Sequence, residues 1–220
     1  MSLVGTADVL LTSLAGGREH ALAEQGGFFT ARTPTPGTGI IGSADVVAFT
    51  ETTPILVVYN GGSFNVFPHY LRMHTTVIGA TASVAEFWTT TLDTGNRYTS
   101  GGTALTVSNN NMNDPDNSGV IATWGAITAS AATTARRIVG HAASKFVTIE
   151  TVHDTVTLNW GGVQGNRHSA LINNAAALTH TTIQHGPCMI GPGQSLVLVR
   201  WAGAQTDGST LEVELGFSAR

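Results

Sequence analysis

The sequence is short of charge, of lysine and of cysteine. Asp, Glu, Lys and Arg together make up 11% of its 220 residues, less than half the roughly 25% of an average soluble protein. Apolar residues stand at 42%, so the folded surface must be largely neutral. Such a surface repels its own copies weakly, and freely soluble chains usually carry more charge. The composition therefore points to a subunit of an assembly. Among the Lys and Arg residues only Lys145 is a lysine, and Arg136-Arg137 is the sole basic doublet. With a net charge of -4, this argues against a nucleic-acid partner, which would need cations clustered on one face.

One cysteine, Cys188, excludes an internal disulfide and any cysteine-based metal site. It reads as a small buried apolar residue. The opening run MSLVGTADVLLTSLAGG has no basic segment ahead of its apolar stretch, and Thr and Ser break that stretch. It reads as neither a signal peptide nor a membrane span, which implies synthesis and folding in a cytoplasm and no membrane partner.

Catalytic and cofactor motifs are missing as well. There is no G-x-S-x-G elbow: Gly191-Pro-Gly193-Gln-Ser195 leads into an alternating run, not a strand-to-helix turn. There is no G-x-x-x-x-G-K-[ST] and no strand-G-x-G-x-x-G-helix unit to cradle phosphate. Among the eight histidines, His69 and His74, like His180 and His185, are five apart, which puts neither pair on one face of a strand or helix. A site built on His153-Asp154 with distant partners stays open, but nothing matches a ligand motif such as H-E-x-x-H. The loop Asp114-Pro-Asp116-Asn-Ser118-Gly119 begins like a calcium loop, yet Gly125 stands where the bidentate Glu belongs. These are ordinary turn residues, so the expectation is no cofactor, no metal and no enzymatic activity.

What the chain does have is strand signal: short β-branched and aromatic runs bounded by Gly, Asn, Pro or Asp. They fall at 45–50, 54–59, 69–78, 84–92, 103–108, 119–124, 145–152, 155–160, 181–190, 195–201 and 210–218. The last is the clearest, with Leu211, Val213, Leu215 and Phe217 on one face and Glu212, Glu214 and Gly216 on the other; it is expected to end a sheet. Alanine-rich segments at 126–137 and 169–178 are the only others that could be helical, but they are flanked by polar residues and carry no broad apolar stripe, so they read as loop insertions. Without alternating strands and amphipathic helices, the expected fold is all-β, an antiparallel β-sandwich or jelly roll over 45–220.

Residues 1–44 read as an N-terminal arm. Gly17–Gly26 suits about two helical turns ended by Gly26-Gly27. In Phe28-Phe29-Thr-Ala-Arg32-Thr-Pro34-Thr-Pro36-Gly-Thr-Gly-Ile40-Ile41 the prolines and glycines argue against helix and central strand. An extended arm follows, whose Phe28, Phe29, Ile40 and Ile41 need burial against the same subunit or a neighbour. Farther on, Tyr59-Asn-Gly-Gly-Ser63 reads as a hairpin turn, because Asn-Gly tolerates positive φ. Pro68 then places the return strand at a sheet edge or delays it to His69. The tryptophans Trp88, Trp124, Trp160 and Trp201 lie in strand signals and are expected to pack in a core or interface; Tyr98, in the loop 93–102, is the candidate for an exposed glycan contact.

Two stretches together, Gly27-Phe-Phe-Thr-Ala-Arg-Thr-Pro-Thr-Pro-Gly-Thr-Gly-Ile40 and Pro54-Ile-Leu-Val-Val-Tyr-Asn-Gly-Gly-Ser-Phe-Asn-Val66, resemble a pattern in virion structural proteins of tailed bacteriophages. Ile190-Gly-Pro-Gly-Gln-Ser-Leu-Val-Leu198 is similar to the strand entry of virion jelly rolls. The resemblance covers about the first 75 and last 35 residues; 93–180 matches no such pattern. It implies a jelly-roll-like cement or decoration protein on the capsid exterior, a homotrimer whose partner is the major capsid protein. The arm residues Phe28, Phe29, Arg32, Pro34, Pro36, Ile40 and Ile41 would then form the capsid and subunit interface. The alternative is a receptor- or glycan-binding module of a phage fibre or tail, with Tyr98 as its contact.

Overall fold

Period-two alternation recurs through the chain, and the computed structural model turns it into strands. The structure describes residues 19–42, 48–79, 85–116, 118–145, 152–161, 180–202 and 208–220. Its strands are β1 (Phe28–Arg32), β2 (Ile40–Ile41), β3 (Leu56–Asn60), β4 (Val66–Val77), β5 (Ala85–Thr94), β6 (Tyr98–Ala104) and β7 (Thr106–Asn109), followed by β8 (Val120–Ala129), β9 (Arg137–Lys145), β10 (Thr155–Trp160), β11 (His180–His185), β12 (Gln194–Ala202) and β13 (Thr210–Ala219). One sheet runs β11-β10-β4-β13-β1-β7 with β2 added beside β13; the other runs β6-β8-β3-β12-β5-β9. The fold is an all-β sandwich.

The two sheets close on one apolar core. Leu211, Val213, Leu215 and Phe217 face inward as their spacing requires, joined from the first sheet by Phe29, Ala31, Leu71, Met73, Leu158 and Trp160. Leu56, Val58, Trp88, Trp124, Leu196 and Leu198 meet them from the second. Each Val, Leu, Met or Phe among them, buried in full, contributes about 1.5–3 kcal/mol. The second sheet is apolar on its outer face too: Val57, Ile127, Val197 and Val199 are buried there with Phe49 and Trp201 packed against them.

Several expectations are corrected. Phe28–Arg32 is not part of an extended arm but a strand between β13 and β7, because the prolines and glycines begin only at Thr33-Pro34 and leave 28–32 free to pair. The strand 210–219 does not end a sheet; it lies between β4 and β1. Pairing is antiparallel except between β10 and β11, which are parallel; the connection 161–179 exceeds the dozen or so residues that a parallel crossover needs. Within 126–137 the expected loop insertion is confined to 130–136, since β8 runs on to Ala129 and β9 starts at Arg137. Tyr98 opens a strand, not a loop. The segments 1–18, 43–47, 146–151 and 169–178 lie outside the described residues, and with them much of the arm and parts of two strand signals. Residues 19–24 are helical, and Gly26, at φ 68°, ends them with Gly27 donating to the Leu22 carbonyl.

The glycine corner has a different purpose from a hairpin turn. Strand β3 belongs to one sheet and β4 to the other, so Asn60–Ser63 carries the chain across the sandwich. Asn60, fully buried, donates through Nδ2 to the carbonyls of Phe64 and Ile190 and accepts from the Gly62 amide. A side chain at Gly62 would collide with the Ser118 carbonyl; close approach, not positive φ, demands glycine here. The return strand is not delayed to His69, since β4 begins at Val66; Pro68 pairs only with β13, because β10 reaches no farther along β4 than Tyr70, so proline sits where one side of the strand is a local edge.

Candidate functional site

The residues left over by the core-facing alternation of β13, β4 and β1 make a polar outer face. Across it, Arg32 pairs in register with Glu214, Glu214 with Arg72 and Arg72 with Thr157; one step along, Glu212 pairs with His74 and His74 with Thr155. Opposite charges on neighbouring strands attract, so this ladder supports the sheet while remaining open to solvent. Arg72 Nη1 lies 3.5 Å from Glu214 Oε1, and the guanidinium sits 5.7 Å from the centre of the Tyr70 ring. Tyr70 donates its hydroxyl to Glu214 at 2.8 Å. Its ring lies over Gly216, where a Cβ would fall inside it. Burial, then the hydrogen bond and negative charge of Glu214, push the Tyr70 pKa up to about 12.

Thr33–Thr38 folds back over this face. Thr33 exchanges hydrogen bonds with the Val213 backbone, Gly37 takes a left-handed φ of 81°, and its amide donates to Glu212. The result is a cavity of ≈ 240 Å³ lined by Arg32, Thr33, Pro36, Arg72, His74, Glu212, Val213 and Glu214. Arg32 is exposed and has no acidic partner among the described residues. The cavity holds complementary charges and no nucleophile paired with a base, an arrangement suited to recognition.

The arm residues divide between the core and this surface. Phe29 stacks on Phe217 with ring centres 5.5 Å apart, and Phe28 packs beside His69 at 5.4 Å; both are buried within the chain itself. Ile40 packs against the core, whereas Ile41 is 61% exposed. Arg32, Pro34 and Pro36 are exposed, and of these Arg32 and Pro36 line the cavity. The cavity's other walls, Arg72, His74, Glu212 and Glu214, were not predicted as site residues. Glu212 and Glu214 were visible as the outward half of the clearest strand, but only cross-strand register puts Arg32 and Arg72 beside Glu214.

Other sequence candidates part company. Trp88, Trp124 and Trp160 are buried as expected. Trp201 is half-buried on the outer face of the second sheet, with Phe87 and His141 ring centres each 5.4 Å away and Phe49 tilted against it. Tyr98, 38% exposed, spends its hydroxyl on the Gly101 carbonyl of its own strand. Asp116 serves the loop itself by accepting from the Asn109 amide at 2.6 Å. Cys188 is half-buried, and burial pushes its thiol pKa up to about 12, which keeps it protonated and poorly nucleophilic. His69 and His74 do not meet, but His74 meets His153: the rings stack with centres 5.3 Å apart, and His153 Nδ1 lies 3.3 Å from His74 Nε2. No group of three or more His, Cys, Asp or Glu side chains among the described residues could hold a metal ion, and no described helix is long and apolar enough to cross a membrane. Comparison with protein-family models, with curated proteins and with solved structures returns no match.

Proposed function

We propose that this chain is a non-enzymatic cement or decoration protein of a tailed-phage head, binding the outside of the shell as a trimer and bridging subunits of the major capsid protein. The observation that carries the reading is the outward presentation of the segment 32–41, the same stretch whose sequence resembles phage virion proteins. Its Arg32, Pro34, Pro36 and Ile41 face away from the subunit's own core. Ile41 pairs with Thr210, which also pairs with Val77; at 61% and 56% exposure these two apolar side chains, with Ile78 at 43%, await burial by a neighbour. The free-energy source would be modest contacts repeated over a shell and multiplied by valency.

Deleting the arm is the wrong test, since it would pull β1 out of the sheet. Point substitution is the right one. Ile41→Asp combined with Val77→Asp leaves the core intact and is expected to abolish binding to heads that lack this protein, while the wild-type chain binds them. Undiminished binding by the double variant, or absence of the wild-type chain from purified heads, would overturn the assignment.

One observation favours a second reading, a glycan-binding module of a fibre or tail. The group Trp201, Phe87 and His141 offers near-parallel rings, inclined to one another by 1–18°, on which sugar faces could stack. A glycan array separates the readings: this one needs a hit that Trp201→Ala removes.

A further inference from the structure

The meeting of His74 and His153 has no explanation in packing, because both rings lie toward solvent: His74 is half-buried and His153 exposed. Their frame is nevertheless rigid. The His153 amide donates to the Thr75 carbonyl at 2.8 Å, and the Thr75 amide donates to the Asp154 carbonyl at 2.9 Å, which clamps the turn before β10 onto β4. His153 also holds φ at 76°, the only positive φ outside glycine among the described residues. Left-handed backbone costs a side-chain-bearing residue of order 1–3 kcal/mol, and such strain gathers at functional sites.

The gap between the rings carries chemical information. Hydrogen bonds donated by nitrogen mostly close at roughly 2.7–3.2 Å, so 3.3 Å is long for one. Two nitrogens bound to a single tetrahedral ion at about 2.0–2.1 Å lie about 3.3–3.4 Å apart. We propose that His74 Nε2 and His153 Nδ1 together chelate one borderline transition-metal ion, Zn²⁺ in the first instance, at the exposed end of the polar face. Imidazole nitrogen suits Zn²⁺, Cu²⁺ and Ni²⁺, and neither Mg²⁺ nor Ca²⁺ competes for it.

Two protein donors leave the remaining positions to water or to a donor from another chain. The chelate needs each bound nitrogen free of hydrogen; the proton between the rings moves to the outer nitrogen of its own ring, so neutral histidines bind the ion without net proton release. The proposal stands apart from the capsid reading, since it concerns the chain alone.

Zn²⁺ alone is the probe, titrated calorimetrically into the full chain in a non-coordinating buffer, with thermal unfolding as a second readout. The expected result is one ion per chain and a rise in Tm, since an ion that binds only the folded state stabilises it. His153→Gly removes the ring while relieving the left-handed backbone, so the fold should survive; His74→Gln tests the other donor. Each is expected to weaken binding by roughly tenfold or more, as loss of even an outer partner of a metal ligand does, and to cancel the Tm rise. No binding at a large excess of Zn²⁺ would overturn the proposal, and so would binding that both variants retain, which would place the ion on other histidines.

Discussion

Two buried polar networks grow from the same strand, β5, and they treat charge in opposite ways. At one end Asp93 and Arg97 form an ion pair at 2.7 Å with side chains 0% and 1% exposed. Every part of it is occupied: Asp93 accepts from the Thr94 amide and from the amide and hydroxyl of Thr133, while Arg97 donates to the carbonyls of Ser130 and Glu51. Nearer the middle, Thr90 accepts from Trp160 Nε1 at 3.1 Å and shares a hydrogen bond of 2.8 Å with His185 Nδ1. His185 Nε2 is buried and has no hydrogen-bond partner among the described residues. The first network surrounds full charges with dipoles; the second excludes charge altogether. Burial by itself would raise the Asp93 pKa, but the Thr133, Thr94 and Arg97 hydrogen bonds outweigh it and hold the carboxyl below its ordinary value. Burial, followed by the nearby His141, drives the His185 pKa down to about 4. What separates the two is the number of partners supplied, not depth.

Breaking the first network should have the larger effect. Arg97→Ala strands a buried carboxylate and frees the loops at 51 and 130, and is expected to cost about 3–5 kcal/mol, read as a lower midpoint in urea. A loss below about 1 kcal/mol, the range of exposed pairs, would erase the contrast. The second network should yield to acid. His185 binds its proton less readily folded than unfolded, so its contribution is complete above the unfolded pKa of 6.5 and is lost as pH falls toward the folded value of about 4. At 1.36 kcal/mol per unit this amounts to about 3 kcal/mol. His185→Gln, which cannot take up that proton, should show a flatter stability curve between pH 6.5 and 4; parallel curves for variant and wild type would refute the assignment.

Little of this contrast could be read in advance, for a physical reason. The alternation of Leu211, Val213, Leu215 and Phe217 announced a strand and its buried face, since period two is a local property. Which strands become neighbours is not local. Arg97 falls within the loop expected at 93–102, and only the pairing of β12 with β5, which brings Ser195 opposite Asp93, makes that segment part of a buried clamp. The same limit hid the candidate site: Arg32, Arg72 and Glu214 lie far apart in the chain and meet through register alone. At Phe28–Arg32 the misleading signal came from Pro34 and Pro36, whose influence was extended back over residues they do not constrain. Strand β9 was missed because its Gly140, Ala142 and Ala143 carry little β signal; the second sheet recruits it through its pairing with β5.

The outer face of the first sheet supplies the weakest member of the comparison. Arg72 and Glu214 carry the same two charges as Arg97 and Asp93, but their side chains are 57% and 36% exposed. Water already solvates both, so Arg72→Ala should change stability by no more than about 1 kcal/mol. The pairing is legible instead in Tyr70, which lies between buried and exposed. Its folded pKa of about 12 exceeds the unfolded value near 10, so its stabilising share is complete below pH 10 and is lost as pH rises through 12. Glu214→Gln removes the carboxylate's charge while leaving the burial and a neutral amide oxygen that can still accept from the phenol, so ultraviolet titration should show Tyr70 ionising at a lower pH than in the wild type, yet still above 10. An unchanged titration would mean that burial and a neutral hydrogen bond suffice to hold the phenol neutral, and that the charge ladder on this face contributes nothing to the state of the groups beneath it.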